Sequence, residues 1–326
     1  MPGVVDVADD SADDGPVAEV VDIADSDGEN PSKSHSDSPP LRFHGYRRGR
    51  ELGRGATGKV YVCSRKGYAS SFAVKTVDFR RMLLGPSGGR ERTAIAREVE
   101  ILKRLPPHQN IVQMIDAFEV GDWFLLILEL VGGGDLYTVL TAREPPQLLE
   151  REAAFVLRQL ARGLSFLHCE NIIHRDLKLE NILVASECRQ RPFLFYNVKI
   201  TDFGLSKYVD ADDGGAYSMV GTHHYMAPEV VGGGSYSFTS DLWCLGVLMY
   251  VLLAGHFPFD PIPTEQCKLD GITQSLGVSE RAIAVIAGLL QLEPDARLGL
   301  ELLESMAWLS EEEAEGDGLE RPPKRQ

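Results

Sequence analysis

A short stretch in the middle of the chain holds several side chains that could act together in a reaction. Residues 174–181 read HRDLKLEN and contain a carboxylate at Asp176, an ammonium group at Lys178 and an amide at Asn181. The stretch is too highly charged to be a core segment, so we expect the three side chains to converge on one point. A further carboxylate, Asp202, follows in VKITDFG after a polar insert.

Phosphoryl transfer is the chemistry that these four side chains suit. Asn181 and Asp202 offer the oxygen ligands that Mg²⁺ prefers. Asp176 is left to accept a proton from an attacking hydroxyl group, and Lys178 can stabilise a transferring phosphate by its charge. Because phosphoryl transfer depends mainly on positioning and charge neutralisation, this set supplies what the reaction needs.

A glycine-rich stretch could hold the phosphates. GRELGRGATGKVYVC contains Gly53, Gly55 and Gly58, followed by Val60. This spacing also occurs in dinucleotide-binding folds, but those require a helix at once and an acidic residue about 20 positions later. Here two strand-like segments follow, so we predict a hairpin whose backbone N–H groups approach phosphates. Lys75, in the second segment, would then reach those phosphates; the alternative is a solvent-facing strand lysine.

A predicted helix should supply the partner of this lysine. Apolar residues recur at helical spacing over residues 92–105. Glu98 lies four residues before Leu102, a spacing that turns it inward toward the strands and Lys75. Glu100 is the alternative partner, which we expect to be solvated.

The remaining elements connect these motifs. Residues 123–130 form a continuous apolar run and predict a buried central strand, and a hinge between two lobes is expected near residues 129–134. A helix from about Glu152 then delivers the chain to HRDLKLEN. A long apolar stretch that begins at Leu242 reads as a helix buried on all sides.

Charge is distributed unevenly along the 326 residues. The formal net charge is −15, yet residues 1–41 hold eleven acidic residues and one lysine, and residues 311–326 hold six acidic and three basic residues. The body between them is nearly neutral, which argues against a nucleic-acid partner. The five cysteines form no C-x-x-C pair, so we expect neither zinc nor a disulfide framework, and a reducing compartment.

The chain start and its hydropathy bear on location. The first residues lack the basic and apolar regions of a signal peptide, and the stretch from Leu242 is shorter than the roughly 20 residues that a membrane span needs. We therefore expect a soluble intracellular protein, in the cytoplasm and/or the nucleus, without a membrane partner. Two apolar islands, at residues 4–7 and 20–23, resemble the strand-adding motif that binds ubiquitin-like modifiers. The alternative is stray valines in an acidic segment.

Taken in order, the motifs resemble those of eukaryotic protein kinases. The match covers residues 46–309 and runs through the glycine-rich loop, AVK, HRDLKLEN, DFG, MAPE and DLWCLG. The lysine in HRDLK is similar to that of serine/threonine kinases. The resemblance implies an α+β bilobal fold with a β-rich N-lobe and a helical C-lobe. The expected ranges are a disordered acidic tail over 1–44, the N-lobe over 45–129, the C-lobe over 130–310 and a short tail over 311–326.

The resemblance also implies cofactors and site residues. The cofactors are ATP and Mg²⁺, with protein substrates. The residues implied are Asp176 and Lys178 for catalysis; Asn181 and Asp202 for the metal; Leu52, Gly53, Gly55, Gly58, Val60, Ala73, Lys75, Glu98, Glu129 and Val131 for ATP; and Glu229, Asp241 and Arg297 for structure, with Arg297 pairing with Glu229 and Asp241 anchoring the catalytic loop.

Within the family, the sequence resembles the calcium/calmodulin-dependent kinase group, including checkpoint kinases. It departs from that group in three places: GTHHYMAPE lacks the usual proline, the segment from Phe259 to Leu289 is shorter, and the last element reads MAWL. Neither an EF-hand loop nor a basic amphipathic helix is present in the sequence, so we expect no direct calmodulin site.

Regulation is expected between Asp202 and Glu229. Related kinases carry an activating phosphate near Ser218, and we predict that this phosphate pairs with Arg175 and Lys199 after modification by an upstream kinase or by autophosphorylation. Tyr217 and Thr222 in the same loop are competing positions.

Substrate choice is expected to depend on acidic residues. In related kinases, acids at the positions of Asp135 and Glu180 receive an arginine that precedes the phosphorylated residue. The alternative for Asp135 is that it only caps the following helix. The main rival function is a pseudokinase scaffold, whose usual mark is the loss of Lys75, Asp176 or Asp202; a metabolite kinase is a second rival, disfavoured by the full activation loop.

Overall fold

A computed structural model describes residues 38–55, 58–80, 88–209, 223–262 and 265–309. The described residues fall into a β-rich part and a helical part. Residues 1–37, residues 310–326, and Ser218 and Thr222 of the activation loop lie outside these ranges. The last residues of the tail expected over 1–44 are described, and Arg42–Phe43 form a strand there.

A six-stranded antiparallel sheet forms the N-lobe. In the strand order β1-β2-β3-β4-β6-β5, the strand β6 lies between β4 and β5, so the apolar run near residue 125 is an interior strand as predicted. The helix α1 follows β4 in the sequence, and Ile95 and Ile101 bury its apolar face in the main core. The elements are β1 Arg42–Phe43, β2 Tyr46–Arg54, β3 Lys59–Arg65, β4 Phe72–Asp78, α1 Gly88–Arg104, β5 Met114–Val120 and β6 Trp123–Glu129.

Alternation along the strands gives the sheet two apolar faces. On one face, Phe72 and Val74 of β4 join Tyr46 and Leu125 in a separate cluster. On the other face, Val77 and Leu126 belong to the main core, which continues into the helical part. Because successive side chains point to opposite faces, Lys75 lies on the same face as Val77, toward the helical part.

The helical part forms the C-lobe. Its centre is α5, whose Trp243 and Leu248 are fully buried, and the helix ends at Gly255, whose φ of 77° gives the left-handed cap that glycine adopts without strain. The elements in chain order are α2 Leu136–Thr141, α3 Glu150–Cys169, β7 Ile172–Ile173, β8 Ile182–Gln190, β9 Phe193–Ile200, β10 Lys207–Tyr208, α4 Pro228–Val231, α5 Phe238–Ala254, α6 Gln266–Gln274, α7 Glu280–Leu289 and α8 Leu300–Ser305.

This architecture confirms the predicted α+β bilobal fold and corrects some details. The helix α1 begins at Gly88, four residues before the predicted start, and α3 begins at Glu150. The polar insert that follows Asn181 is a long antiparallel hairpin formed by β8 and β9, paired from Ile182–Ile200 to Gln190–Phe193. No helix in the described ranges is both long and apolar enough to cross a bilayer.

Candidate active site

The loop of residues 174–178 is held by short strands on one side and by a buried carboxylate beneath it. The strands β7 and β10 pair with Ile173 opposite Lys207, which fixes the entry to the loop. Asp241, at the start of α5, is fully buried and accepts hydrogen bonds from the backbone N–H groups of His174 (2.9 Å) and Arg175 (3.0 Å). The structure thus shows the contact through which Asp241 was expected to anchor this loop.

The side chain of His168 is a third hydrogen-bond partner of the Asp241 carboxylate. Its Nε2 lies 3.0 Å from the Asp241 carboxylate. Burial alone would raise the pKa of Asp241, but the hydrogen bond and charge of His168, with the contribution of His174, hold that pKa below its usual value. Asp241 is therefore an anion at neutral pH, which strengthens its bonds to the backbone N–H groups.

Asp176, Lys178 and Asn181 converge as predicted. The Asp176 Oδ2 accepts hydrogen bonds from Lys178 Nζ (2.7 Å) and Asn181 Nδ2 (2.9 Å). Asn181 Nδ2 also donates to the Asp176 carbonyl oxygen at 2.7 Å. These bonds fix the carboxylate of Asp176 in a single orientation, in a buried position beside the cleft.

Lys75 contacts two carboxylates from different parts of the chain. Its Nζ lies 2.9 Å from Glu98 Oε1 and 3.0 Å from Asp202 Oδ1. Glu98 is the inward-facing residue of α1 that the helical spacing indicated, whereas Glu100 is exposed and pairs with Arg104. Strand β4, helix α1 and the segment after β9 are therefore joined at one ammonium group.

Within this triad the charges of Lys75 and Asp202 stabilise each other, whereas burial and the nearby Asp202 carboxylate raise the pKa of Glu98. Burial would lower the pKa of Lys75, but the carboxylates of Glu98 and Asp202 outweigh burial and hold that pKa above its ordinary value. Burial likewise opposes ionisation of Asp202, and Lys75 reverses the effect, so the pKa of Asp202 is lowered. Both groups are charged at neutral pH, which is the state that phosphate and metal binding require.

Two residues of this region have an unusual backbone conformation. Arg175 has a φ of 70° and Asp202 a φ of 63°, in the left-handed region that residues with side chains rarely adopt. Such conformations persist where the surrounding contacts determine them, and they concentrate at functional sites.

Strand register places the glycine-rich segment beside Lys75. Gly53 pairs with Val60, and Val60 pairs with Lys75. A Cβ atom at Gly58 would lie 2.1 Å from the carbonyl oxygen of Thr76, so only glycine fits there, whereas a Cβ at Gly53 would meet nothing within 4 Å. The open side of the strand turn therefore leaves room for a ligand.

The other residues implied in the nucleotide site lie on, or just after, strands of the same sheet. Leu52 is an exposed residue of β2, Ala73 is buried in β4 opposite Val62 and Leu128, and Val131 is half-buried just after β6. This arrangement provides an apolar lining beside the glycine turn.

Asn181 and Asp202 fit a divalent cation by their chemistry. Because both Asn181 hydrogen bonds use its Nδ2 donor, its amide oxygen is available as a ligand. Asp202 is ionised and its side chain is 46% exposed. One carboxylate and one amide oxygen are the hard ligands that Mg²⁺ takes together with substrate phosphates.

Glu129 and Lys199 form an ion pair. Lys199 Nζ lies 2.8 Å from Glu129 Oε1, and this carboxylate oxygen also accepts from the backbone N–H of Gln113 at 2.8 Å. Lys199 thus joins β9 to the end of β6, and its pairing with a phosphate on Ser218, which lies outside the described residues, stays a prediction. The Glu129 side chain is engaged in the same contact, so only its backbone remains for a nucleotide.

Lys207 is a residue that the sequence reasoning missed. It lies opposite Ile173, two residues before Arg175, because β10 pairs with β7. The signal was present in DFGLSK, whose lysine directly follows the DFG segment. Only the pairing of β7 with β10 distinguishes the two lysines, because it places Lys207 opposite Ile173 and depends on residues that are distant in sequence.

The expected structural ion pair is present. Arg297 and Glu229 form two parallel bonds of 2.7 and 2.6 Å, and Arg297 Nη1 also donates to the carbonyl oxygen of Thr239. Arg297 lies over the ring of Trp243 at 5.2 Å. This bidentate pair connects α4 to the start of α5.

Asp135 caps the N-terminus of α2, which was the alternative role considered for it from the sequence. Its carboxylate accepts from Thr138 N (2.7 Å) and Thr138 Oγ1 (2.8 Å) at the start of α2. Glu180 is exposed beside the catalytic loop. The structure therefore assigns Asp135 a helix cap and leaves Glu180 accessible to a peptide.

Comparison with known proteins identifies the class to which this site belongs. Residues 46–309 match the family described as the protein kinase domain. The chain therefore belongs to the protein kinase family, and it is an ATP-dependent serine/threonine kinase that resembles the calcium/calmodulin-dependent kinase group.

Three relatives illustrate the likeness. The chain is 31% identical over 283 residues to "Probable myosin light chain kinase" of Dictyostelium discoideum, covering 85% of each chain. It is 34% identical over 278 residues to "Calcium-dependent protein kinase 8" of Arabidopsis thaliana, covering 81% of this chain and 49% of the relative. It is 34% identical over 254 residues to "Serine/threonine-protein kinase PLK4" of Drosophila grimshawi, covering 77% of this chain and 32% of the relative.

Proposed function

We propose that this chain is itself a catalytically active serine/threonine kinase that phosphorylates proteins inside the cell, and not a pseudokinase scaffold. The observation that carries the proposal is the contact of Lys75 with both Glu98 and Asp202, beside an Asp176 carboxylate held by two donors. A scaffold has no need of this arrangement, whose charged groups are costly to bury unless they are paired.

Each residue has a separate part in the proposed reaction. Lys75 and the glycine turn bind and orient the phosphates of ATP, and Asn181 and Asp202 hold Mg²⁺, which supplies charge neutralisation when bound. Asp176 accepts the proton of the substrate hydroxyl at its carboxylate. Lys178, which holds Asp176 at 2.7 Å, supplies positive charge beside the transferring group.

Phosphate transfer from Mg-ATP to a serine peptide tests this proposal. We expect Asp176→Asn to reduce kcat by about 10²–10⁴-fold, because the proton acceptor is lost, while ATP binding is retained. Asp295→Asn, which changes an exposed carboxylate in the C-lobe, is the matched control. Absence of transfer by the wild-type protein with ATP bound, even after treatment with an activating kinase, would favour the scaffold.

Activation by phosphorylation of Ser218 is the second part of the proposal. Arg175, held at 4.4 Å over the ring of Tyr236, and Lys207 on the paired strand β10 provide positive charge next to the catalytic loop. A phosphate on Ser218 would bind there and order the activation loop. Lys207 takes the role first expected of Lys199.

Two variants separate this idea from the alternatives. Ser218→Ala should lower the activity of protein treated with an activating kinase, and Lys207→Ala should reduce the gain from phosphorylation without changing the unphosphorylated rate. Lys199→Ala is the comparison. Equal activation of Ser218→Ala and wild type would move the site to Tyr217 or Thr222.

A preference for arginine before the phosphorylated residue is the third part. Glu180 is exposed next to the catalytic loop and would attract a guanidinium group, while Asp135 contributes a nearby negative charge despite its capping bonds. A peptide library should show selection for arginine that weakens in Glu180→Gln and is unchanged in Glu187→Gln, an exposed acid of β8. Unchanged selection in Glu180→Gln would remove this role.

Binding of a ubiquitin-like modifier by the apolar islands at residues 4–7 and 20–23 is a fourth part, and it rests on the sequence alone. Titration of the full chain with such a modifier, compared with Val20→Asp and Val5→Asp variants, would show whether either island binds.

A further inference from the structure

The outer face of α3 carries a stripe of basic and aromatic residues. Arg151, Phe155, Arg158 and Arg162 follow one another at intervals of four, three and four residues, so they lie along one side of the helix. The three arginines are half-buried or exposed. We call this set the α3 stripe.

Aromatic contacts hold two of the arginines in place. Arg151 lies over the ring of Phe193 at 4.4 Å, and Arg158 lies over the ring of Phe155 at 5.2 Å. Phe155 in turn packs against Phe195 of the β8–β9 hairpin, at 5.2 Å between ring centroids. These contacts limit the rotation of long side chains, so less conformational entropy is lost when the cations bind a partner.

The described part of the chain ends on this stripe. Arg158 Nη1 donates to the carbonyl oxygen of Leu309 at 3.0 Å, across 151 residues of sequence. Nearby, Glu304 of α8 accepts from Ser165 of α3 at 2.7 Å. The carboxyl end of the kinase domain is therefore held against the middle of the stripe.

An acidic sequence begins immediately after this point. Residues 310–317 read SEEEAEGD and contain four glutamates within five positions, Glu311 to Glu315. Within the described ranges, Arg162 makes no ion pair with any carboxylate. Leu309, the residue in contact with Arg158, thus precedes the first of these glutamates by two positions in the sequence.

We propose that residues 311–315 bind along the α3 stripe of the same chain. Arg151 and Arg162 lie about 10 and 6 Å from Arg158 along the helix axis, at 1.5 Å per residue. An extended chain advances roughly 3.3 Å per residue, so glutamates two to six residues beyond Leu309 can reach either neighbour of Arg158. Covalent attachment gives this segment a high effective concentration compared with any other acidic partner.

The proposed contact connects the end of the domain to the catalytic loop. The helix α3 leads through β7 directly into the loop that carries Asp176, and His168 near its end binds Asp241. Binding of the acidic segment would stabilise α3 without occupying the substrate cleft. Because the pairs are near the surface, the effect should be sensitive to salt.

Charge reversal in the full-length protein tests the proposal. One variant changes the stripe, Arg151→Glu with Arg162→Glu, a second changes the segment, Glu311→Lys, Glu312→Lys and Glu313→Lys, and a third combines them. Lys103→Glu, an exposed cation of α1, is the control. Thermal unfolding and hydrogen exchange of residues 310–317 are measured at low and high salt.

We expect the stripe variant and the segment variant each to lower Tm by about 2–4 °C at low salt and to speed amide exchange in residues 310–317. The combined variant should recover both values, and high salt should remove the differences. The control should behave as wild type. Additive losses in the combined variant, or wild-type exchange in the segment variant, would overturn the proposal.

Sedimentation distinguishes an intramolecular contact from one between copies. The wild-type chain should remain monomeric over the concentration range in which the exchange protection is measured. A salt-sensitive dimer that the segment variant abolishes would show that the stripe binds a second copy, and it would overturn the intramolecular assignment.

Discussion

At the scale of single residues, Asp241 determines the position of the catalytic loop. Its buried carboxylate accepts hydrogen bonds from two consecutive backbone N–H groups, of His174 and Arg175, and from His168. An asparagine at this position would place an amide NH₂ against one of those donors. That donor would be left buried without an acceptor, which is costly.

We therefore expect Asp241→Asn to lower the free energy of unfolding by about 2–3 kcal/mol at pH 7. The pKa of Asp241 is depressed in the folded protein, so its contribution is present above the unfolded value of about 3.9 and is lost as the pH falls through the folded value. Denaturant unfolding carried from pH 7 to well below about pH 3.9 should show a constant difference between the two proteins above that value and a shrinking one below it. Asp116→Asn, a half-exposed carboxylate of β5, is the control; a constant difference at all pH values would contradict the assignment.

Residue types in the sequence were sufficient to predict most contacts of the site. The string HRDLKLEN predicted the convergence of Asp176, Lys178 and Asn181, because few arrangements explain three such side chains in one loop. The partner of Lys75 followed from helical spacing. Residue type and spacing could not show which of Lys199 and Lys207 lies beside the strand that leads into the catalytic loop. That depends on the pairing of the two-residue strands β7 and β10.

At the scale of elements, the packing of α5 against α7 depends on a residue without a side chain. A Cβ atom at Gly246 would lie 2.9 Å from Leu289 Cβ and 2.9 Å from Leu290 Cδ2. Both leucines are fully buried, so neither can move without disturbing the core. Helix propensity favours alanine over glycine, but here overpacking outweighs that gain.

We expect Gly246→Ala to reduce the free energy of unfolding by about 1–3 kcal/mol. Gly271→Ala in α6 is the matched control, because a Cβ there meets nothing within 4 Å and the position is exposed; it should stabilise the protein by about 0.5–1 kcal/mol. Urea unfolding of both variants measures the effects. Equal stability of the two would show that the close approach at Gly246 relaxes freely.

The apolar pattern of the sequence correctly predicted a strand at β6 and a helix at α5. It did not predict the two strands of the insert after Asn181. The apolar runs of β6 and α5 are long and lie in the core, so local sequence and tertiary packing favour the same structure. The insert reads ASECRQRPF, which is polar, and its strands are supported by Phe195, which packs on Phe193 and on Phe155 of α3. Such long-range contacts are not visible in a short sequence window.

At the scale of the whole molecule, charge is concentrated outside the described domain. Removal of residues 1–37 takes away eleven acidic residues and one lysine and changes the formal net charge from −15 to −5. A negative protein attracts cationic peptides over distances beyond direct contact. The effect is screened by salt.

We expect the chain without residues 1–37 to show a KM for an arginine-containing peptide that is roughly two- to fivefold higher at low ionic strength. The difference should disappear at high salt, and kcat should not change; the KM for Mg-ATP, which is an anion, should not rise. Steady-state kinetics with an uncharged peptide provides the control. A higher KM that persists at high salt would indicate direct contact instead of long-range attraction.

The ion pair between Lys75 and Glu98 also has a consequence for inhibitor design. The two side chains are 12% and 5% exposed, so a compound that displaces α1 must separate this buried pair and leave Lys75 with Asp202 as its one remaining carboxylate of the triad. Separation of a buried pair costs about 3–5 kcal/mol, which corresponds to a loss of roughly 10²–10⁴-fold in affinity. Compounds that occupy the cleft with α1 in place avoid this loss, so a screen against this kinase should favour them.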